Sequence, residues 1–338
     1  MSNCLQNLSR TLAATIGAAI IVLAPAVATA QTAQVGAASS PAKKAAWSAP
    51  HTPDGQPDLQ GYWTNLSFTP LERPAEYGTR EFLTNEESAK LFKEGVIHSY
   101  EFTYDNPAGT PVYDATTFGL DAWQNGVKPN KRTSLIIDPP NGRIPPLTPE
   151  AQKARAARVT KTRVESPEDL TLGVRCLTFG RPPMLPAAYN SNYYIVQMPG
   201  FIMIEAEWDS DARIIPLDGR PHLSRDIHRW HGDSRGHWEG DTLVVETTNF
   251  RPGATYLNAN PETLRITEHF RRLDAYTIEY KFTIDDPSTW TKPWSAIIPM
   301  NRVEGPMFEY ACSEGNNDII NMLEAARASE KANGQGKK

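Results

Sequence analysis

Cysteine is scarce in this chain, three in 338 residues, and none lies directly after the apolar N-terminal run, which argues against a lipoprotein anchor. The glycine patterns of phosphate- and dinucleotide-binding loops are missing, as is the Gly-x-Ser-x-Gly turn of serine hydrolases. ATP, NAD and acyl-serine chemistry therefore lose their support. No Lys/Arg-rich patch occurs, and the net charge of −5 is spread with both signs interspersed. Nucleic acid and anionic membrane are poor partners for such a chain. Beyond the first thirty residues no stretch approaches a membrane span.

What is there begins with a leader. Thr11 to Val27 is apolar or small, Pro25 breaks it, and Ala28-Thr29-Ala30 is a cleavage signal. Residues 1–30 are expected to be a signal peptide cut after Ala30, the alternative being a membrane anchor. Export then gives Cys176 and Cys312 a simple role as one disulfide. Closing so long a loop is worth about 4–5 kcal/mol on the chain-entropy model. A reactive thiol is the alternative. Residues 31–57 lack apolar periodicity at their start and read as a disordered leader.

Proline is plentiful, 28 residues, mostly before Pro221. Residues 58–190 are expected to be a Pro-rich wrapping region with short helices. One helix is capped by Thr84 or Asn85 and runs to Val96; another starts at Thr148-Pro149 and runs to about Lys161. Tyr100–Gln124, rich in aromatics, could form a lid or the floor of a pocket. From 191 to 327 the rhythm is that of an antiparallel sheet. Hairpins turn at Pro199-Gly200 and Glu239-Gly240-Asp241, strands follow through Trp290–Val303 and Phe308–Cys312, and a helix covers Asn317–Arg327. Residues 328–338 read as a mobile tail. Short strands joined by hairpin turns, with no crossover helix and no internal repeat, predict a mainly β fold: a curved antiparallel sheet or lipocalin-like β-barrel.

Pro221–Phe250 holds four of the seven histidines. Asp226, His228 and Trp230 alternate along an extended segment, while the composition around Gly232 predicts a bend that brings His231 and Asp233 to the same place. An imidazole oriented by Asp226 or Asp233 is a general base near neutral pH. The plainer alternative is an Asx-type turn with histidines that only bond locally. His237, within a hairpin, reads as structural. Glu205 keeps step with Phe201 and Met203, so it is expected to face inward against Arg213 or Arg175, either as a buried ion pair or at a ligand. Tyr189, Tyr194, Trp230 and Trp294 are candidate substrate contacts. His228-x-x-His231 with Asp226 or Asp233 could hold a metal, although that spacing off a helix is weakly diagnostic.

The strings PDLQGYWTN, TPLERP, RTSLIIDPPNGRIPPLTPEAQ, HGDSRGHWEGDTLVVETTNF and FEYACSEGNN resemble a broad group of exported, mostly uncharacterised bacterial proteins. The resemblance spans nearly all the chain after the leader. It implies a periplasmic or secreted lipocalin-like protein without a shared established chemistry. In that group a histidine follows the C-terminal cysteine, where this chain has Ser313.

These features lead to an expected exported, cofactor-independent enzyme acting on a small hydrophobic or phenolic molecule. His228 or His231 would transfer the proton, Asp226 or Asp233 would orient it, and Arg213 with Tyr189 would stabilise negative charge on oxygen. C–C or C–O cleavage and isomerisation all fit. A periplasmic carrier for an apolar ligand is the rival from another class, and a metal-dependent hydrolase or oxygenase the third reading.

Overall fold

Alternating residues from Asn192 onward fold as the hairpins their turns predict. In this computed structural model, residues 47–104, 126–159, 164–178, 182–187, 190–332 and 334 are described. The expected signal peptide over 1–30, most of the expected leader, and most of Tyr100–Gln124 lie outside the described residues, as does Tyr189. The chain gives β1 (Gly61–Thr64), α1 (Asn85–Tyr104), β2 (Ile136–Asp138) and α2 (Pro149–Val159). Then come β3 (Asn192–Met198), β4 (Phe201–Ala206), β5 (Asp211–Pro216), β6 (Asp233–Glu239) and β7 (Thr242–Thr248). The last elements are β8 (Arg265–Asp274), β9 (Thr277–Asp285), β10 (Trp294–Arg302) and α3 (Asp318–Ala332).

The strands make one antiparallel sheet in the order β5-β4-β3-β1-β10-β9-β8-β7-β6, nearly closed into a barrel, with β2 added beside β10. β5 and β6 end the order and face one another across a gap. No ladder joins them among the described residues, but a Cβ at Gly236 would touch the side chains of Leu217 and Ile215, so the two edges lie close. Inward residues of each strand fill the barrel: Ile202, Ile204, Val245, Ile266, Phe270 and Phe282 are all buried. Trp294 packs edge-on against Phe282 and Trp290 at 5.7 and 6.0 Å.

Local chemistry explains the helix starts. Thr84 and Glu87 cap α1 reciprocally, Glu87 N–H donating to the Thr84 hydroxyl and Thr84 N–H to the Glu87 carboxylate. The Thr148 hydroxyl accepts from Ala151 N–H, with Pro149 at the first helical position of α2.

Several expectations change. The region over 58–190 does more than wrap. β1 stands between β3 and β10, its Trp63 fully buried, and β2 pairs with another stretch of β10. Residues 51–57, grouped with the disordered leader, are ordered: the turn that Pro53-Asp54-Gly55 predicts is present, with Gly55 N–H donating to Thr52 O. Phe308–Cys312 is not a strand; its side chains have no sheet to alternate against, and Phe308 is exposed. The C-terminal helix continues to Ala332 because Ala-Arg-Ala-Ser-Glu-Lys-Ala is helix-forming, so the tail begins later than expected. Arg327 of α3 donates to the carbonyls of Val164 and Glu165.

The expected disulfide links Cys176 and Cys312. No helix among the described residues is long and apolar enough to cross a membrane. Both facts are compatible with export.

Candidate active site

The strands that border the gap also carry its chemistry. Asp211 opens β5, and two residues before β6 the ring of His231 places Nε2 2.5 Å from Asp211 Oδ2. The Thr178 hydroxyl donates to the same carboxylate oxygen at 2.5 Å and lies 2.9 Å from Nε2. The bend that aims His231 depends on Gly232. Its φ is +71°, and a Cβ there would fall 2.5 Å from the Thr248 carbonyl oxygen. The His231 and Asp211 side chains are 14% and 20% exposed, so the pair is sheltered yet reachable. Among the described residues nothing hydrogen-bonds His231 Nδ1.

Deeper in the barrel, Arg213 follows Asp211 on the same face of β5. Its guanidinium donates twice to Glu268, at 2.6 and 3.1 Å, and both side chains are essentially excluded from water. The Tyr280 hydroxyl donates to Glu268 Oε1 at 2.9 Å and accepts from Met184 N–H at 3.0 Å. Burial opposes the Arg213 charge, but Glu268 outweighs it and holds the guanidinium pKa above its ordinary value. Burial, then the Glu268 charge, drives the Tyr280 phenol well up. The ion pair is thus matched on both sides, the condition under which buried charges persist.

The sequence candidates divide between this site and elsewhere. His231 and Arg213 belong to it. His228 does not: its Nε2 stands 3.3 Å from Glu262. Asp226 is bound locally by the Ser224 hydroxyl, which lowers its pKa. Asp233, expected to orient His231 or His228, is buried against His222 instead, accepting from Leu223 N–H at 3.0 Å and lying 3.0 Å from His222 Nδ1. The other His222 nitrogen faces Glu246 at 3.1 Å. His237 pairs with Glu239 on the exposed surface.

The expected apolar contacts disperse as well. Arg251 covers the Trp230 ring at 4.4 Å. Tyr194 lies on the outer face and stacks on Tyr62 at 4.4 Å, and Trp294 is fully buried in the core. Glu205 faces outward. Ile202, Ile204 and Ala206 take the inner face of β4, a parity hidden because both faces of that strand are apolar. Asp211, Thr178 and Glu268 were not singled out in the sequence. Only Glu268 leaves a signal there, in step with Ile266 and Phe270.

No protein-family model matches the chain, and searches of curated proteins and solved structures found no match either. The site must therefore be judged on its own geometry. Among the described residues no three His, Cys, Asp or Glu side chains converge as metal ligands. His228 and His231 each face a different carboxylate, so they do not form the pair their spacing suggests.

Proposed function

We propose that this chain is an exported enzyme, working without an organic cofactor, that moves a proton on a small hydrophobic or phenolic molecule at the Asp211 end of the barrel. The observation that carries this reading is the His231–Asp211 contact, with no hydrogen bond to Nδ1 among the described residues. Asp211 accepts the Nε2–H, which leaves a lone pair on Nδ1 to take a proton from a bound molecule. The imidazolium so formed is stabilised by the carboxylate, and the proton then passes to product or leaving group. Thr178 holds the carboxylate in place. Such proton transfer fits C–C or C–O cleavage and isomerisation alike. The resemblance to exported bacterial proteins and the disulfide support a periplasmic or secreted setting.

The test is a screen of phenolic and terpenoid compounds with the wild-type protein and His231→Gln. Turnover that falls about 10²–10⁴-fold in the variant supports the assignment. Turnover that survives it sinks the assignment.

One observation favours the carrier reading. At the opposite end of the barrel a depression of about 360 Å³ is bordered by Met198, Phe201, Leu217 and Trp238. Binding of an apolar ligand without turnover, lost in Trp238→Ala and kept in His231→Gln, would establish that reading instead.

A further inference from the structure

The outward residues of the barrel wall divide it into two unlike halves. On β6 to β9 they are largely charged, with Arg235, Glu246, Arg271 and Lys281 among them. On β1, β3, β4 and β5 they are apolar, and the sheet register sets them in rows. Val196, Met203 and Ile214 make one row, and Met198, Phe201 and Pro216 the next. The third row holds Tyr62, Tyr194 and Glu205, with Glu205 its one charge. Met198, Phe201 and Ile214 are 43%, 36% and 50% exposed, so this face is open to solvent.

Strands about 4.8 Å apart, with residues about 3.4 Å along them, spread these rows over roughly 20 Å by 20 Å, about 400 Å². An apolar patch of that extent is commonly an interaction site. Two copies packed face to face would bury it on both sides, about 1,000 Å² in all with side-chain relief and rim, enough for a specific pair.

The third row makes the face complementary to itself. Tyr194 and Glu205 are directly opposite each other on β3 and β4, yet neither the phenol hydroxyl nor the carboxylate has a hydrogen-bond partner among the described residues. A two-fold axis along the strands, between β3 and β4, sets β3 of one copy over β4 of the other. Tyr194 of each copy then meets Glu205 of the other, Val196 meets Met203, and Met198 meets Phe201. A second copy also backs β5, an edge strand with a sheet neighbour on one side only. We infer that this face docks a second copy of the chain, as a symmetric dimer in which each Tyr194 hydroxyl donates to Glu205 of the other copy. The inference is independent of the role given to His231.

The experiment is sedimentation velocity on the full exported chain over a wide concentration range. The wild type should be a dimer, and Met203→Glu, at the centre of the face, a monomer with the circular dichroism of the wild type. Phe201→Asp, nearer the turn, serves if Met203→Glu does not fold. Tyr194→Phe removes a hydrogen bond to a charged acceptor twice over, so its dissociation constant should rise at least about tenfold. A wild type that stays monomeric throughout, or a dimer that both charged variants leave intact, would overturn the inference. A dimer as tight in Tyr194→Phe as in the wild type overturns the Tyr194–Glu205 pairing. A monomer that cosediments with phosphatidylethanolamine–phosphatidylglycerol vesicles, and ceases to in Met203→Glu, gives the face to a lipid surface and overturns the dimer.

Discussion

Asp211 is the residue on which the site turns. Asp211→Asn keeps the shape but gives His231 Nε2 either an amide oxygen or an amide NH₂, without the charge that stabilises an imidazolium. The expected outcome is a fall in kcat of about 10²–10⁴-fold, read in steady-state assays, with little change in thermal stability. Asp226→Asn, on the exposed loop, should leave kcat unchanged. Glu268 tests a different force. Glu268→Gln removes the partner of a buried guanidinium, a loss of about 3–5 kcal/mol that urea denaturation would detect. His269 supplies a pH signature. Burial first, then Lys281, lowers its pKa in the folded chain. Below about pH 6.5 the unfolded chain binds the proton first, so folding stability drops as pH falls toward the folded value. His269→Gln should narrow the difference in melting temperature between about pH 7.5 and pH 5.5. At this scale the sequence disclosed His231 and Arg213 but not their partners. Asp211 precedes His231 by twenty positions, and Thr178 lies on a different segment, so no local spacing could join them. Asp233 was the nearer carboxylate, but the hairpin register buries it beside His222.

Among elements, hairpins were easiest to foresee because glycine at Gly200 and Gly240 and the apolar alternation agree. β1 was hard to foresee. Four residues carry little periodicity, and their place between β3 and β10 is decided by long-range pairing and the burial of Trp63. The turn ahead of β6 makes the sharpest test at this scale. Gly232→Ala would force a Cβ against the Thr248 carbonyl at a positive φ, at a cost of about 1–3 kcal/mol. Because His231 is the adjacent residue, activity should decline even at temperatures where circular dichroism shows the variant folded.

For the molecule as a whole, the strand-and-hairpin rhythm and the two cysteines after the leader were enough to expect a β fold and one long-range disulfide. The substrate was not legible, since nothing in the order of residues encodes the shape of a barrel mouth. Cys176 lies two positions before Thr178, so the disulfide anchors the segment that steadies Asp211. Replacing both cysteines with serine is predicted to cost up to about 4–5 kcal/mol in chemical denaturation.

The barrel is a hoop with a single split, and Asp211 with His231 is its buckle. Anything that widens the split, whether warming, mild denaturant or an oversized ligand, unfastens acid from base before the staves themselves come apart. The proposed proton-transfer activity should therefore fade several degrees below the melting transition and return on cooling, as assays along a thermal ramp would read.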